Sequence, residues 1–218
     1  MQLAAMPILR PGIAALLLLL CFGLGLIVRH ADRGYVEYVE GDLVRAEAIL
    51  TERGMDGDAW AAFVAGGLAA ARRAGLEDFC AARSLWRRAG DGGVAEARSA
   101  YVGITAEINR DAATCRWAGQ SLDGLLGRHP EHAAEMQGFL ARSPICGRDA
   151  RAAFIWFRAA EIAGSAHAGD AVDALADETG LTRHGTEAEA MALLPSVASD
   201  PDWPSMLTAE PPGKCPGR

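Results

Sequence analysis

Ser84-Leu85-Trp86-Arg87-Arg88-Ala89 and Phe154-Ile155-Trp156-Phe157-Arg158-Ala159 share one pattern: a tryptophan, any residue, an arginine and an alanine. The two tryptophans are 156 − 86 = 70 residues apart, which is two units of about 35, the length of a stacking helical hairpin. Each copy runs into a turn of small residues that opens another helix. These are Gly93-Val94-Ala95-Glu96-Ala97 in one copy and Gly164-Ser165-Ala166-His167-Ala168 in the other. Between them lies a degenerate unit from Trp117 to Leu140, with its turn at His129-Pro130-Glu131-His132-Ala133. An earlier unit begins at Gly41-Asp42-Leu43. Outside these units no alternating β-branched stretch is long enough to build a sheet. The expected fold is all-α.

The aromatic-x-arginine-alanine pattern followed by Gly-x-Ala-x-Ala resembles the Sel-one-like repeats, a subclass of the tetratricopeptide superfamily. The resemblance is good at 82–104 and 152–175, poor at 41–74 and 115–140, and covers residues 39–178. It implies an α-solenoid of about four helical hairpins whose inner helices form a concave, protein-binding groove. The residues agree with such stacking. Alanines at 89, 95, 97, 159, 166 and 168 let helix axes approach, and Trp86, Tyr101 and Trp156 are the expected repeat core. A single hairpin cannot bury its apolar stripe alone, so its neighbours must cover it.

Composition supports that architecture. Half of the 218 residues are apolar but only 6% are aromatic, so the core rests on Ala, Leu and Val. The net charge of −7 and pI of about 5.2 argue against a nucleic-acid partner.

The N-terminus suggests a membrane. From Pro11 through Leu16 and Leu20 to Val28 there is no charge, and Arg10 and Arg29 bracket the run. At about 1.5 Å per residue an 18-residue helix spans roughly 27 Å, near the thickness of a bilayer core. A cleaved signal peptide fits less well, because no small-x-small site follows. The expected order is a tail over 1–10, a single transmembrane anchor over 11–28 and a juxtamembrane linker over 29–38. The repeat body follows over 39–178, then a capping helix over 179–195 and a Pro-rich tail over 196–218. The body contains Cys80, Cys115, Cys146 and Cys215, an even number without metal-ligand spacing. That count suits two disulfides in an oxidising compartment as well as four buried thiols, with the pairing left open. Arginine counting slightly favours a cytoplasmic body, whereas the cysteines favour the periplasmic side of a bacterial inner membrane. The second placement is the one expected.

The C-terminal region reads differently. Thr186-x-x-Glu189 has the form of a capping box before a short helix that Pro195 ends. Five prolines crowd residues 201–218, and Trp203, Met206 and Leu207 offer an apolar anchor for docking that tail. No phosphate loop, nucleophile elbow or Cys-x-x-Cys pair occurs. His129 and His132 with their neighbouring glutamates are read as a turn. No catalytic residue, metal or cofactor is therefore expected. The sequence suggests a non-enzymatic scaffold or assembly adaptor that binds protein through its groove. The alternative is a permanent accessory subunit whose anchor packs against other transmembrane helices.

Overall fold

A computed structural model describes residue 37 and residues 41–72, 75–195 and 203–215. Among the described residues ten α-helices follow in order: α1 (Leu43–Met55), α2 (Ala59–Arg72), α3 (Leu76–Asp91), α4 (Ala95–Asn109) and α5 (Ala112–Leu125). Then come α6 (Pro130–Arg142), α7 (Ala150–Ala163), α8 (Ala168–Thr179), α9 (Glu187–Leu193) and α10 (Trp203–Thr208), with a 3₁₀ turn at His184–Thr186. Among the described residues there is no strand.

The chain divides into two compact units, residues 1–50 and 51–218. In the first, Asp42 starts α1 by accepting the Arg45 amide at 3.2 Å, and Arg45 pairs with Glu37 at 3.1 Å. In the second, α2 packs on α3, α3 on α4, α4 on α5 and α6, and α5 on α6; α6 packs on α7, and α7 on α8 and α9. From α2 to α9 these contacts join near neighbours in sequence, which is the contact pattern of a repeat array.

Local chemistry sets the helix limits. Asp58, Asp111 and Asp149 accept the amides of Ala61, Thr114 and Ala152 at 2.8–2.9 Å, so α2, α5 and α7 begin on aspartate caps. The hairpins α3/α4 and α7/α8 turn through Gly93 at φ +91° and Gly164 at φ +105°, a conformation that costs a side chain bearing a Cβ.

The stacking of α2 on α3 and of α6 on α7 uses one device. A Cβ on Gly66 of α2 would lie 2.6 Å from the Trp86 indole, and one on Gly138 of α6 would lie 2.8 Å from the Phe157 ring. The missing side chain is the space the ring occupies. Trp86 also donates its indole N–H to the Phe63 carbonyl at 3.1 Å. These contacts change the repeat register. Phe157 stands where Trp86 stands, an offset of 157 − 86 = 71, which is also the offset of the turn glycines, 164 − 93 = 71. Phe154 and Phe157 are fully buried, whereas Trp86 and Trp156 are both half-buried against the core. One residue turns a helix by about 100°, so matching tryptophan to tryptophan chooses the wrong face.

Two further expectations are corrected. The fold is all-α, and among the described residues no helix is long and apolar enough to cross a membrane. The longest described helix, α3, has 16 residues with arginines and acids along it, short of the about 20 apolar residues a span needs. Pro11, Leu16, Leu20 and Val28 of the expected anchor lie outside the described residues. The capping box also does not form. Thr186 turns its hydroxyl back to donate to the Thr182 carbonyl at 3.0 Å, and Glu189 pairs with Arg151 at 2.8 Å.

Replacing Phe157 with Ala should cost about 3–5 kcal/mol, because the ring is fully buried between the Gly138 backbone and the Phe139 ring. Trp156→Ala should cost less than half of that. Urea unfolding of both variants checks the register; equal losses would restore the tryptophan alignment.

Candidate functional site: a seat for the C-terminal segment

Residues 203–215 lie against three consecutive helices, running from the C-terminal end of α3 towards its N-terminal end. Trp203 enters first. It is 4% exposed, and it stands edge-on to Tyr101 of α4 with ring centroids 5.6 Å apart at 79°. Its indole N–H donates to Asp91 Oδ1 at 2.9 Å, and the Arg98 guanidinium sits 5.4 Å from the ring centroid. Gly90 makes the slot: a Cβ there would be 3.0 Å from the indole and 3.0 Å from Arg98 Cγ. Arg98 is held in place by donating to the Gly90 carbonyl at 3.0 Å.

The next contact is with the main chain. Trp117 of α5 donates its indole N–H to the Met206 carbonyl at 3.1 Å, while Met206 and Leu207 pack against the hydrophobic core. Pro204 takes its place within the first turn of α10, where a missing amide costs no helical hydrogen bond.

Beyond α10 the segment is extended, and Glu210 reaches a polar clamp. Its carboxylate accepts from the Arg83 guanidinium on α3 and from the Tyr101 hydroxyl on α4. Arg83 is fixed by two more bonds, to Thr105 Oγ1 at 3.1 Å and to the Tyr101 oxygen at 3.0 Å. The side chains of Arg83 and Glu210 retain 20% and 8% of their exposure, so this ion pair is largely removed from water. Burial, followed by donation to Glu210, pushes the Tyr101 phenol above its ordinary value. It therefore remains a donor at any ordinary pH.

Asn109, at the end of α4, finishes the seat. Its amide oxygen accepts the Lys214 N–H at 3.1 Å, and its amide nitrogen donates to the Pro212 carbonyl at 3.5 Å. Cys215 then joins Cys80, near the start of α3, across 135 residues. Thus α3 supplies Cys80, Arg83, Gly90 and Asp91, α4 supplies Arg98, Tyr101 and Asn109, and α5 supplies Trp117.

The structure places the remaining singled-out residues elsewhere. Cys115 of α5 joins Cys146 in the α6–α7 loop, away from the seat. Trp86 belongs to the α2–α3 contact, and Trp156 packs at the edge of the core. His132 approaches Glu96 at 3.4 Å and Glu131 at 3.5 Å. Among the described residues no group of three or more potential ligands is placed to hold a metal.

Sequence reading missed Arg83, Asp91, Asn109 and Glu210. One signal was present: Glu210 is the only acid in residues 203–218, and a buried tyrosine needs a partner for its hydroxyl.

Gly90→Ala should loosen the segment, with overpacking of about 1–3 kcal/mol outweighing the gain in helix propensity. Gly67→Ala, where a Cβ would meet nothing within 4 Å, should instead stabilise by up to about 1 kcal/mol. Thermal unfolding distinguishes the two. Tyr101 gives a pH test. Its folded value lies above the ordinary 10.0, so its contribution is complete below pH 10 and is lost as pH rises through the folded value. Stability of the native chain should therefore fall more steeply above pH 10 than that of Tyr101→Phe.

The chain matches no protein-family model and no curated protein.

Proposed function

We propose that this protein is a non-enzymatic scaffold or assembly adaptor that binds other proteins through the inner side of a Sel-one-like helical-repeat array. One observation carries the reading: helices α3, α4 and α5 already hold a peptide, their own C-terminal segment of one short helix and an extended stretch, by side-chain pockets and main-chain hydrogen bonds together. A surface that can hold a chain by its backbone carbonyls and amides suits protein partners more than small molecules.

The proposed site of action is the periplasm, beside the bacterial inner membrane. Two cross-links, Cys80–Cys215 and Cys115–Cys146, favour a compartment where disulfides persist. The charge-free run between Arg10 and Arg29 favours delivery out of the cytoplasm.

Two measurements on cells producing the full chain test this reading. Thiol labelling of the denatured, unreduced protein should leave Cys80, Cys115, Cys146 and Cys215 unlabelled; four labelled thiols would return the body to a reducing compartment. In the Cys80→Ser, Cys215→Ser chain, a photo-crosslinking residue at Arg87, beside the Trp203 slot, should give discrete protein adducts in living cells. The same residue at Met191, exposed on α9, should not. Equal patterns at both positions would remove the binding role from this face.

A further inference from the structure

We propose that the seat on α3–α5 is the partner-binding site itself, and that it reads a segment carrying an indole followed seven residues later by a carboxylate. The protein's own segment, Trp203 to Glu210, occupies it as a built-in competitor latched by Cys80–Cys215. This deepens the scaffold reading and rests on it.

The pattern follows from what the seat asks of its occupant. At one end, Gly90, Tyr101 and Arg98 bound a slot for a flat ring, and Asp91 adds an acceptor that only an indole N–H meets at 2.9 Å. At the other end, the Arg83 guanidinium and the Tyr101 hydroxyl converge on one carboxylate. Without an anion there, a largely buried guanidinium would lose its counter-charge, so a segment lacking the acid is rejected. Between and beyond these points the polar contacts go to main chain, the carbonyls at 206 and 212 and the amide at 214, while Met206 and Leu207 add apolar packing. Two side chains are read by polar contacts, and the rest of the occupant is held by its backbone and by apolar packing at 206 and 207. Nothing in the contacts requires that the occupant belong to the same chain.

The latch decides when a foreign segment can enter. While Cys80–Cys215 is closed, the segment is held at both ends and its effective concentration is far above that of any free partner. Both sulfur-bearing residues are only partly buried. Opening proceeds by exchange with a dithiol. One of its thiolates attacks a sulfur of the bond, its second thiol resolves the mixed disulfide, and two electrons and two protons pass to Cys80 and Cys215 as the dithiol becomes a disulfide. The segment then keeps its pocket contacts without its covalent end, and a partner of the same pattern can compete.

The test uses the full chain and a fluorescein-labelled peptide matching residues 201–214. The oxidised native chain should not bind it. A chain with Trp203→Ala, Glu210→Gln, Cys80→Ser and Cys215→Ser, its seat emptied, should bind it saturably. Peptides with Trp203→Ala or Glu210→Gln should bind that chain at least about tenfold more weakly. No saturable binding to a variant with native circular dichroism, or equal binding of the three peptides, overturns the proposal. Should the fourfold variant fail to fold, the Cys80→Ser, Cys215→Ser chain replaces it. Its own segment then competes, and weaker but saturable binding is expected; none overturns the proposal. Crosslinks at Arg87 in cells with no peptide binding would leave the scaffold reading standing and remove this specificity alone.

Discussion

An aromatic ring laid where a glycine has left out its side chain is the contact on which this architecture depends. With so few aromatic residues, the chain places its rings where a neighbouring helix offers a notch. Trp86 lies over Gly66, Phe157 over Gly138 and Trp203 over Gly90. A ring against exposed backbone makes many close contacts in a small area, and it fixes both the separation of two helices and their rotation. Alanine alone cannot do the second. Stripes such as Ala61, Ala62, Ala65 and Ala69 on α2 bring axes together but leave register undetermined. The first two rings join helices of the array to one another, and the third joins a peptide to the array by the same means.

The polar half of the seat works differently. A buried ion pair contributes little net stability, since desolvation cancels much of its attraction, but it strongly disfavours every arrangement that leaves one partner alone. Arg83 donates to Thr105, Tyr101 and Glu210 together, so its position is determined before any carboxylate arrives. The ring slot therefore supplies most of the adhesion, and the carboxylate clamp sets the alignment of the segment along α4.

Much of the helical body was legible from spacing alone, because helix periodicity and turn glycines are local properties. The turns at Gly93 and Gly164 and the unit at 115–140 belong to that class. Legibility stopped where a property became tertiary. Trp156 and Phe157 are adjacent letters, and only the notch at Gly138 decides which one is core. Thr186 has the letters of a capping box, yet Thr182 lies one turn upstream and takes its hydroxyl, while Arg151 draws off Glu189. The cysteine pairing could not be derived from spacing, since it depends on the C-terminal segment returning along α3. Trp203, Met206 and Leu207 were visible as an apolar anchor, but their receptor was not. Tyr101 read as a volume filler because its hydroxyl partner lies 109 residues away.

The two disulfides show why the location of a cross-link matters more than the length of chain it closes. Cys115–Cys146 spans 31 residues and Cys80–Cys215 spans 135. In the chain-entropy view these closures are worth about 4 and about 5 kcal/mol, a small difference because the cost of closure rises only with the logarithm of loop length. The difference lies in what remains when each is absent. Cys115 is in the first turn of α5, a packed helix, and the loop bearing Cys146 is tied back by the Arg148 and Asp149 amides to the Ser143 and Ala141 carbonyls. Those residues keep their places without the bond. Cys215 ends the described segment, and next to it only the Lys214 amide reaches the array, through Asn109. The first cross-link reinforces contacts that surround it. The second holds the far part of a peptide in a seat that the rest of the fold builds without it.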